Sequence, residues 1–173
     1  GCWKEECEEH KRNSFYSLSS ALKAGFSIET DIRDFGLDVV ISHDPPNKEK
    51  NKITLDGLLA LHEKINNKAF IALNIKSDGL INLLTKKQKS YIRNSQKIFF
   101  FDMSIPELIN FKKAKLPFLE RLSEFEKYTE FRNDRSGVWI DNFGGRSDDE
   151  FVDLCFNRIK GELSMIVSPE LHK

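Results

Sequence analysis

Two neighbouring stretches hold the residues best suited to chemistry: Ser27-Ile28-Glu29-Thr30-Asp31-Ile32-Arg33 and Ile41-Ser42-His43-Asp44. On a β-strand, side chains two apart share a face. Glu29 and Asp31 therefore project together, while Ile28, Thr30 and Ile32 face the other way. Two carboxylates that close repel unless positive charge comes between them, and a hard divalent cation held by carboxylate oxygens is a common remedy. His43 adds the side chain best matched to proton transfer near neutral pH. The same residues also have blander uses. Glu-x-Asp is a frequent pattern on a solvated strand face, and a histidine ahead of Pro45-Pro46 also suits a plain turn.

The composition narrows the field. The 173 residues carry 27 basic and 27 acidic side chains, and this balance gives neither nucleic acid nor an anionic membrane an overall field to respond to. Hydrophobic residues make up 39% of the chain, enough for one sizeable core, and the length fits a single domain over 1–173. The 14 phenylalanines fall inside periodic runs rather than in a basic stripe and read as core. No apolar stretch is long enough to span a bilayer, and no signal-peptide pattern opens the sequence. Cys2, Cys7 and Cys155 are odd in number and lack metal-binding spacing, which suits reduced thiols in a cytoplasmic protein.

The elements that position these residues follow from periodicity and caps. Asn13-Ser14 offers N-cap chemistry to a helix whose buried stripe is Phe15, Leu18, Ala21 and Leu22, ended by Gly25. The Glu29/Asp31 strand comes next, Asp34 to Asp38 turns the chain, and Val39-Val40-Ile41 leads to His43. Thr54 caps a helix bearing Leu55, Leu58, Leu59, Leu61, His62 and Ile65, with His62 read as a satisfied or surface histidine. Ala69 to Lys76 is a continuous apolar run of the kind buried on both faces of a sheet. Asp78 then caps a helix with Leu80, Ile81, Leu83 and Leu84. Ile98 to Asp102 is a strand, and Ser104-Ile-Pro-Glu107 is a capping box opening another helix. Phe118 to Leu122, Val138 to Asp141 and Met165 to Val167 complete the strands, with a helix opening at Ser147 or Asp148 before the last.

Strands alternating with helices imply right-handed crossovers and a parallel sheet. Glu29, Asp31, Lys76, Asp102, Arg121, Asp141 and Glu170 all fall at or near the carboxyl ends of the expected strands. That rim is where a (β/α)8 TIM-type barrel builds its chemistry, and no glycine-rich phosphate loop argues for an open doubly wound sheet instead. The expectation is therefore an α/β chain forming a barrel. It would be an incomplete one, because a full barrel takes about 250 residues and eight strands.

At these residues the chain resembles the glycerophosphodiester phosphodiesterase family, within the phospholipase C-like phosphodiesterase barrels. Asn13-Ser14, Ala21-Leu22 through Gly25-Phe26, Ile28-Glu29-Thr30-Asp31-Ile32 and Val40-Ile41-Ser42-His43-Asp44 follow the order and similar spacing of that family's opening motifs. Leu73-Asn74-Ile75-Lys76 is similar to its next motif. Phe101-Asp102, Val138 to Asp141 and Val167 to Leu171 continue the likeness more weakly. Gly1 looks like the Gly of the family's His-Arg-Gly motif, so the family's first histidine would precede Gly1. Asn74 stands where the family has a glutamate.

The resemblance implies metal-dependent hydrolysis of a phosphodiester, a small molecule such as a glycerophosphodiester. Glu29, Asp31 and Asn74 would hold a divalent cation, Mg²⁺ or Ca²⁺, more weakly for the amide in place of an acid. Lys76 would add positive charge at the phosphate or transition state. His43 would serve as general acid or base with Asp44 orienting it or its loop, and Arg121 would help bind the substrate. A chain lacking the partner histidine is expected to be inactive or nearly so, and a barrel without its first and last strands to be a fragment with two unpaired edges. Two other readings stand beside this one: a barrel that has lost catalysis and binds a phosphate ligand or acts as a scaffold, and a different (β/α) hydrolase with acid pairs of its own.

Overall fold

The computed structural model describes residues 13–47, 52–87, 92, 97–126, 131, 136–144 and 165–167. The chain divides into two compact units, Gly1–Leu116 and Pro117–Lys173. The first unit holds helices α1 (Phe15–Lys23), α2 (Leu55–Asn66), α3 (Ile81–Lys87) and α4 (Ile105–Ala114). Its strands are β1 (Ile28–Phe35), β2 (Asp38–Ile41), β3 (Ile71–Ile75) and β4 (Ile98–Phe101). The second holds β5 (Leu119–Leu122), β6 (Gly137–Ile140) and β7 (Met165–Val167).

The helix starts follow their caps. Ser14 Oγ accepts from Ser17 N–H at 3.2 Å and Thr54 Oγ1 from Gly57 N–H at 3.1 Å, each giving an acceptor to a first-turn amide that has none within the helix. At the end of α1, the Phe26 N–H reaches Ala21 O and the Gly25 N–H reaches Leu22 O, with Gly25 at φ +85°. This is the left-handed closure that glycine permits. The capping residues ahead of α3 and α4 exchange partners. Glu107 Oε1 accepts from the N–H groups of Gly79 and Ile81 at the start of α3, at 3.1 and 3.3 Å. Asp78 Oδ1 accepts from Ser104 N–H at 3.4 Å, at the start of α4. The two helix starts are thus capped by each other's carboxylates.

The first unit's sheet has the order β2-β1-β3-β4. β1, β3 and β4 are parallel, with Thr30 beside Leu73 beside Phe100 and Asp31 beside Asn74 beside Phe101. β2 runs antiparallel to β1 across a two-residue turn, Gly36-Leu37, with Gly36 at φ +64°. One sheet face carries Ile28, Thr30, Ile32, Ile71, Leu73, Ile75, Ile98 and Phe100, all buried. Phe111 of α4 meets Phe100 edge-on at 5.1 Å between ring centroids, and Leu18, Leu22, Leu55, Leu58, Leu84 and Leu108 are buried on the helices. His62 is fully buried on α2, its Nε2 at 2.9 Å from Ala69 O. Not every phenylalanine is core: Phe15, Phe26, Phe125 and Phe143 are exposed, whereas Phe99, Phe100, Phe101, Phe111 and Phe118 are buried.

Among the described residues a (β/α)8 barrel is not formed. The strands make one sheet of four and a separate parallel sheet of three, β5-β6-β7. The reason lies in two connections. The tight Gly36 turn folds β2 back as an antiparallel edge strand, where a barrel needs another parallel neighbour for β1. After α4, β5 pairs with β6 within the second unit's own sheet. The helix expected from Ser147 or Asp148, the cysteines Cys2, Cys7 and Cys155, and Gly1 lie outside the described residues.

Candidate functional site

Asp31, Asn74, Lys76 and Asp102 gather at the carboxyl end of the β1–β3–β4 ladder, whereas Glu29, expected on the same rim, is the second residue of β1 and lies beside Ala72 near the amino end of β3. Burial along β1 alternates, with Ile28, Thr30 and Ile32 buried and Glu29, Asp31 and Arg33 partly exposed, so Glu29 and Asp31 do share a face. On the same face Glu29 lies beside Ala72 and Phe99, and Asp31 beside Asn74 and Phe101. Ala72, Phe99 and Phe101 are buried, giving the acids an apolar floor. Asp31 stands one register step before the end of β3, and Lys76 follows where the strand stops. The Lys76 N–H continues the ladder by donating to Ile32 O at 3.1 Å.

Charge is closely arranged here. Lys76 Nζ lies 3.6 Å from Asp31 Oδ1 and 3.6 Å from Asp102 Oδ2. All three side chains are mostly withdrawn from solvent, with 24% of Lys76, 14% of Asp31 and 23% of Asp102 exposed. Asp102 occupies the turn after β4 with a left-handed backbone, φ +67°, a conformation that Asp tolerates better than most residues. The second oxygen of Asp31 accepts from Asn13 Nδ2 at 3.1 Å, while Asn13 Oδ1 accepts from the buried Thr30 hydroxyl at 2.8 Å. Asn74 Oδ1 is buried with no hydrogen-bond partner, although a buried carbonyl oxygen left so is costly.

His43 sits beyond the antiparallel edge. Its ring is largely exposed, with Nδ1 3.0 Å from Asp44 Oδ1. The loop is held by Arg33 Nε donating to His43 O at 2.8 Å, by Ser42 Oγ donating to Asp44 O at 2.7 Å and by Ser42 N–H donating to Asp31 O at 3.0 Å. These bonds set His43 and Asp44 side by side. No hydrogen bond or ion pair joins the ring to Asp31 or Lys76.

Arg121 belongs to the second unit. Its guanidinium makes a two-pronged bond to Glu126, Nε to Oε2 at 2.6 Å and Nη2 to Oε1 at 2.8 Å, and lies 5.3 Å over the Phe143 ring. Ser123 Oγ also donates to Glu126. An anion at Arg121 would have to compete with that carboxylate.

Two participants escaped the sequence. Asn13 reads as cap chemistry, but Ser14 does the capping and leaves the neighbouring amide spare; two cap-type residues where one suffices was the available signal. Glu126 was visible only as a charge whose partner lies across a turn, and Asp102, expected on the rim, gave no sign of its pairing with Lys76. Among the described residues no three His, Cys, Asp or Glu side chains gather into a metal-ligand group. The cation site implied by the resemblance would therefore consist of Glu29, Asp31 and the Asn74 amide. The unpartnered Asn74 oxygen beside Asp31 fits that set, because a hard cation supplies what an orphaned carbonyl oxygen lacks.

No family model, no curated protein and no solved structure matches this chain.

Proposed function

We propose that the carboxyl end of the β1–β3–β4 ladder binds a phosphate ester with the help of a divalent cation, Mg²⁺ or Ca²⁺, and serves hydrolysis of a small phosphodiester of the glycerophosphodiester kind. The observation that carries this reading is the buried, unpartnered Asn74 Oδ1 in register with Asp31. Glu29, Asp31 and Asn74 are the oxygen donors for the cation, which when bound neutralises phosphate oxygens and polarises phosphorus. Lys76 adds an ammonium on the same rim, where charge develops in the transition state. His43, with Nδ1 on Asp44, keeps Nε2 for proton transfer to or from an ester oxygen. The odd, unspaced cysteines favour a cytoplasmic setting for this chemistry. Among the described residues no helix is long and apolar enough to cross a membrane.

A second reading has its own observation. Lys76 already lies between two carboxylates, and His43 is 69% exposed with no bond to them. Both features suit a site that holds a phosphate ligand without turning it over. One set of measurements separates the readings. Millimolar Mg²⁺ or Ca²⁺ should raise the melting temperature, as binding to the folded state must. The rise should vanish in Glu29→Gln and Asp31→Asn, and sn-glycerol 3-phosphate should add to it only when the cation is present. No cation-dependent rise would refute the cation site. Phosphorus NMR of glycerophosphocholine with the cation then decides between hydrolysis, lost in His43→Ala, and binding alone.

A further inference from the structure

We propose that Lys76 is a resident counter-cation of this site, and that Asp102 is the positioning residue that receives its ammonium when a divalent cation takes Asp31. The inference rests on the cation reading above and adds a residue that reading does not use. Lys76 Nζ stands at the same distance, 3.6 Å, from Asp31 Oδ1 and Asp102 Oδ2. A committed charge-assisted bond is about 2.7–2.9 Å, so the ammonium is shared between the carboxylates and bonded closely to neither. Its backbone is fixed, since the Lys76 N–H is part of the ladder to Ile32. The flexible four-carbon stem leaves the head free to move a short way.

Asp31 makes the direction of that movement clear. One of its oxygens is held by Asn13 and the other faces Lys76. A divalent cation ligated by Asp31 and Asn74 takes the oxygen that faces Lys76, and its charge repels the ammonium. Without Asp102, Lys76 would be driven off the rim or would hold its place and keep the cation out. With Asp102, the left-handed turn after β4 presents a second carboxylate where the ammonium already half rests. Lys76 then stays on the rim, beside the cation, as a second positive group for a phosphate.

The proposal predicts opposite effects from two neighbouring charges, with non-additivity as the signature. Titration calorimetry with Mg²⁺ and with Ca²⁺ alone would be run on the wild-type chain, Lys76→Met, Asp102→Asn and the double variant, after circular dichroism has shown each to be folded. Lys76→Met should tighten cation binding about tenfold by removing the competitor. Asp102→Asn should weaken it about tenfold, because the ammonium is left on Asp31 alone. In the Lys76→Met background the same Asp102→Asn change should alter affinity by about twofold or less, as expected when one residue acts through another.

An equal loss from Asp102→Asn in both backgrounds would overturn the proposal, since Asp102 would then act as a general negative charge. Unchanged or weaker binding in Lys76→Met would also overturn it. If neither the wild type nor Lys76→Met takes up a cation, the cation reading fails and carries this inference with it. Binding in Lys76→Met alone would support the resident-cation role directly.

Discussion

Replacing Glu107 with alanine should destabilise the first unit by about 3 kcal/mol, although Glu107 is a charged residue on a helix. The magnitude follows from what the carboxylate does. It is 3% exposed and accepts from Gly79 N–H and Ile81 N–H, with Asn110 Nδ2 as a third donor at 3.2 Å. Truncation leaves two backbone donors at the start of α3 without acceptors. Stranding a buried donor costs about 1–3 kcal/mol, and hydrogen bonds to charged groups contribute about 1.5–3 kcal/mol each. The donors here are part-buried, and water entering the vacated space would recover some of the loss, so the low end of those ranges applies to each. The lost methylene adds about 0.8 kcal/mol. Urea denaturation is the assay, read as a lower midpoint at unchanged slope. In a thermal scan the same loss lowers the midpoint by roughly 6–12 °C. Hydrogen exchange supplies a local check, because the Gly79 and Ile81 amides should lose protection before the sheet does. Glu107→Gln keeps one carbonyl acceptor and should cost clearly less. A Glu107→Ala loss under about 0.5 kcal/mol, the range of ordinary surface substitutions, would refute the exchanged-cap account.

Other substitutions test other parts of the framework. His62→Ala removes a fully buried ring and its bond to Ala69 O, and should cost about 2–4 kcal/mol in urea unfolding. Lys115 closes α4 in a left-handed conformation, φ +54°, so Lys115→Gly should raise the melting temperature, the relief being about 1 kcal/mol. Gly36→Ala meets no atom within 4 Å of the added carbon but is held at φ +64°. It should therefore destabilise the β1–β2 turn by about 1 kcal/mol through backbone strain alone, read as a lower urea midpoint.

Much of the local structure is legible in the residues, and the reason is physical. Ser14 and Thr54 mark helix starts because a first-turn amide needs an acceptor, and the apolar run Ile71 to Ile75 marks a buried strand because both its faces are covered. The shared face of Glu29 and Asp31 follows from the strand period alone. Closure of the sheet is not legible in the same way. Alternating strands and helices specify that successive parallel strands pair, but an open sheet and a barrel share that alternation. The outcome turned on a two-residue turn at Gly36, which makes β2 antiparallel, and on β5 choosing β6. Neither choice leaves a periodic trace. Capping residues show the same limit: Ser104-x-x-Glu107 contains a capping box by pattern, yet Glu107 finds two amides across the turn and leaves the Ser104 N–H to Asp78.

The site divides along that line. Asp31, Asn74 and Lys76 come together because they sit on adjacent parallel strands whose register is fixed by the buried rows Thr30–Leu73–Phe100 and Ile32–Ile75. A slip of one residue would carry Asp31 into the helix-covered face and Thr30 out of it. The fully buried Thr30 and Ile32 therefore do as much to place the carboxylate as any polar contact. Asn13 ties the two neighbours together, since its amide bonds both the Thr30 hydroxyl and the Asp31 carboxylate on successive residues of β1. His43 is constrained less directly. It follows β2 on a loop tied to β1 through Arg33 Nε on His43 O and Ser42 N–H on Asp31 O, but its ring is largely exposed. The proposed cation and phosphate site would thus be built into the core, whereas the proposed proton transfer by His43 would depend on a surface loop. On that proposal the core could keep the first after changes in the loop had removed the second.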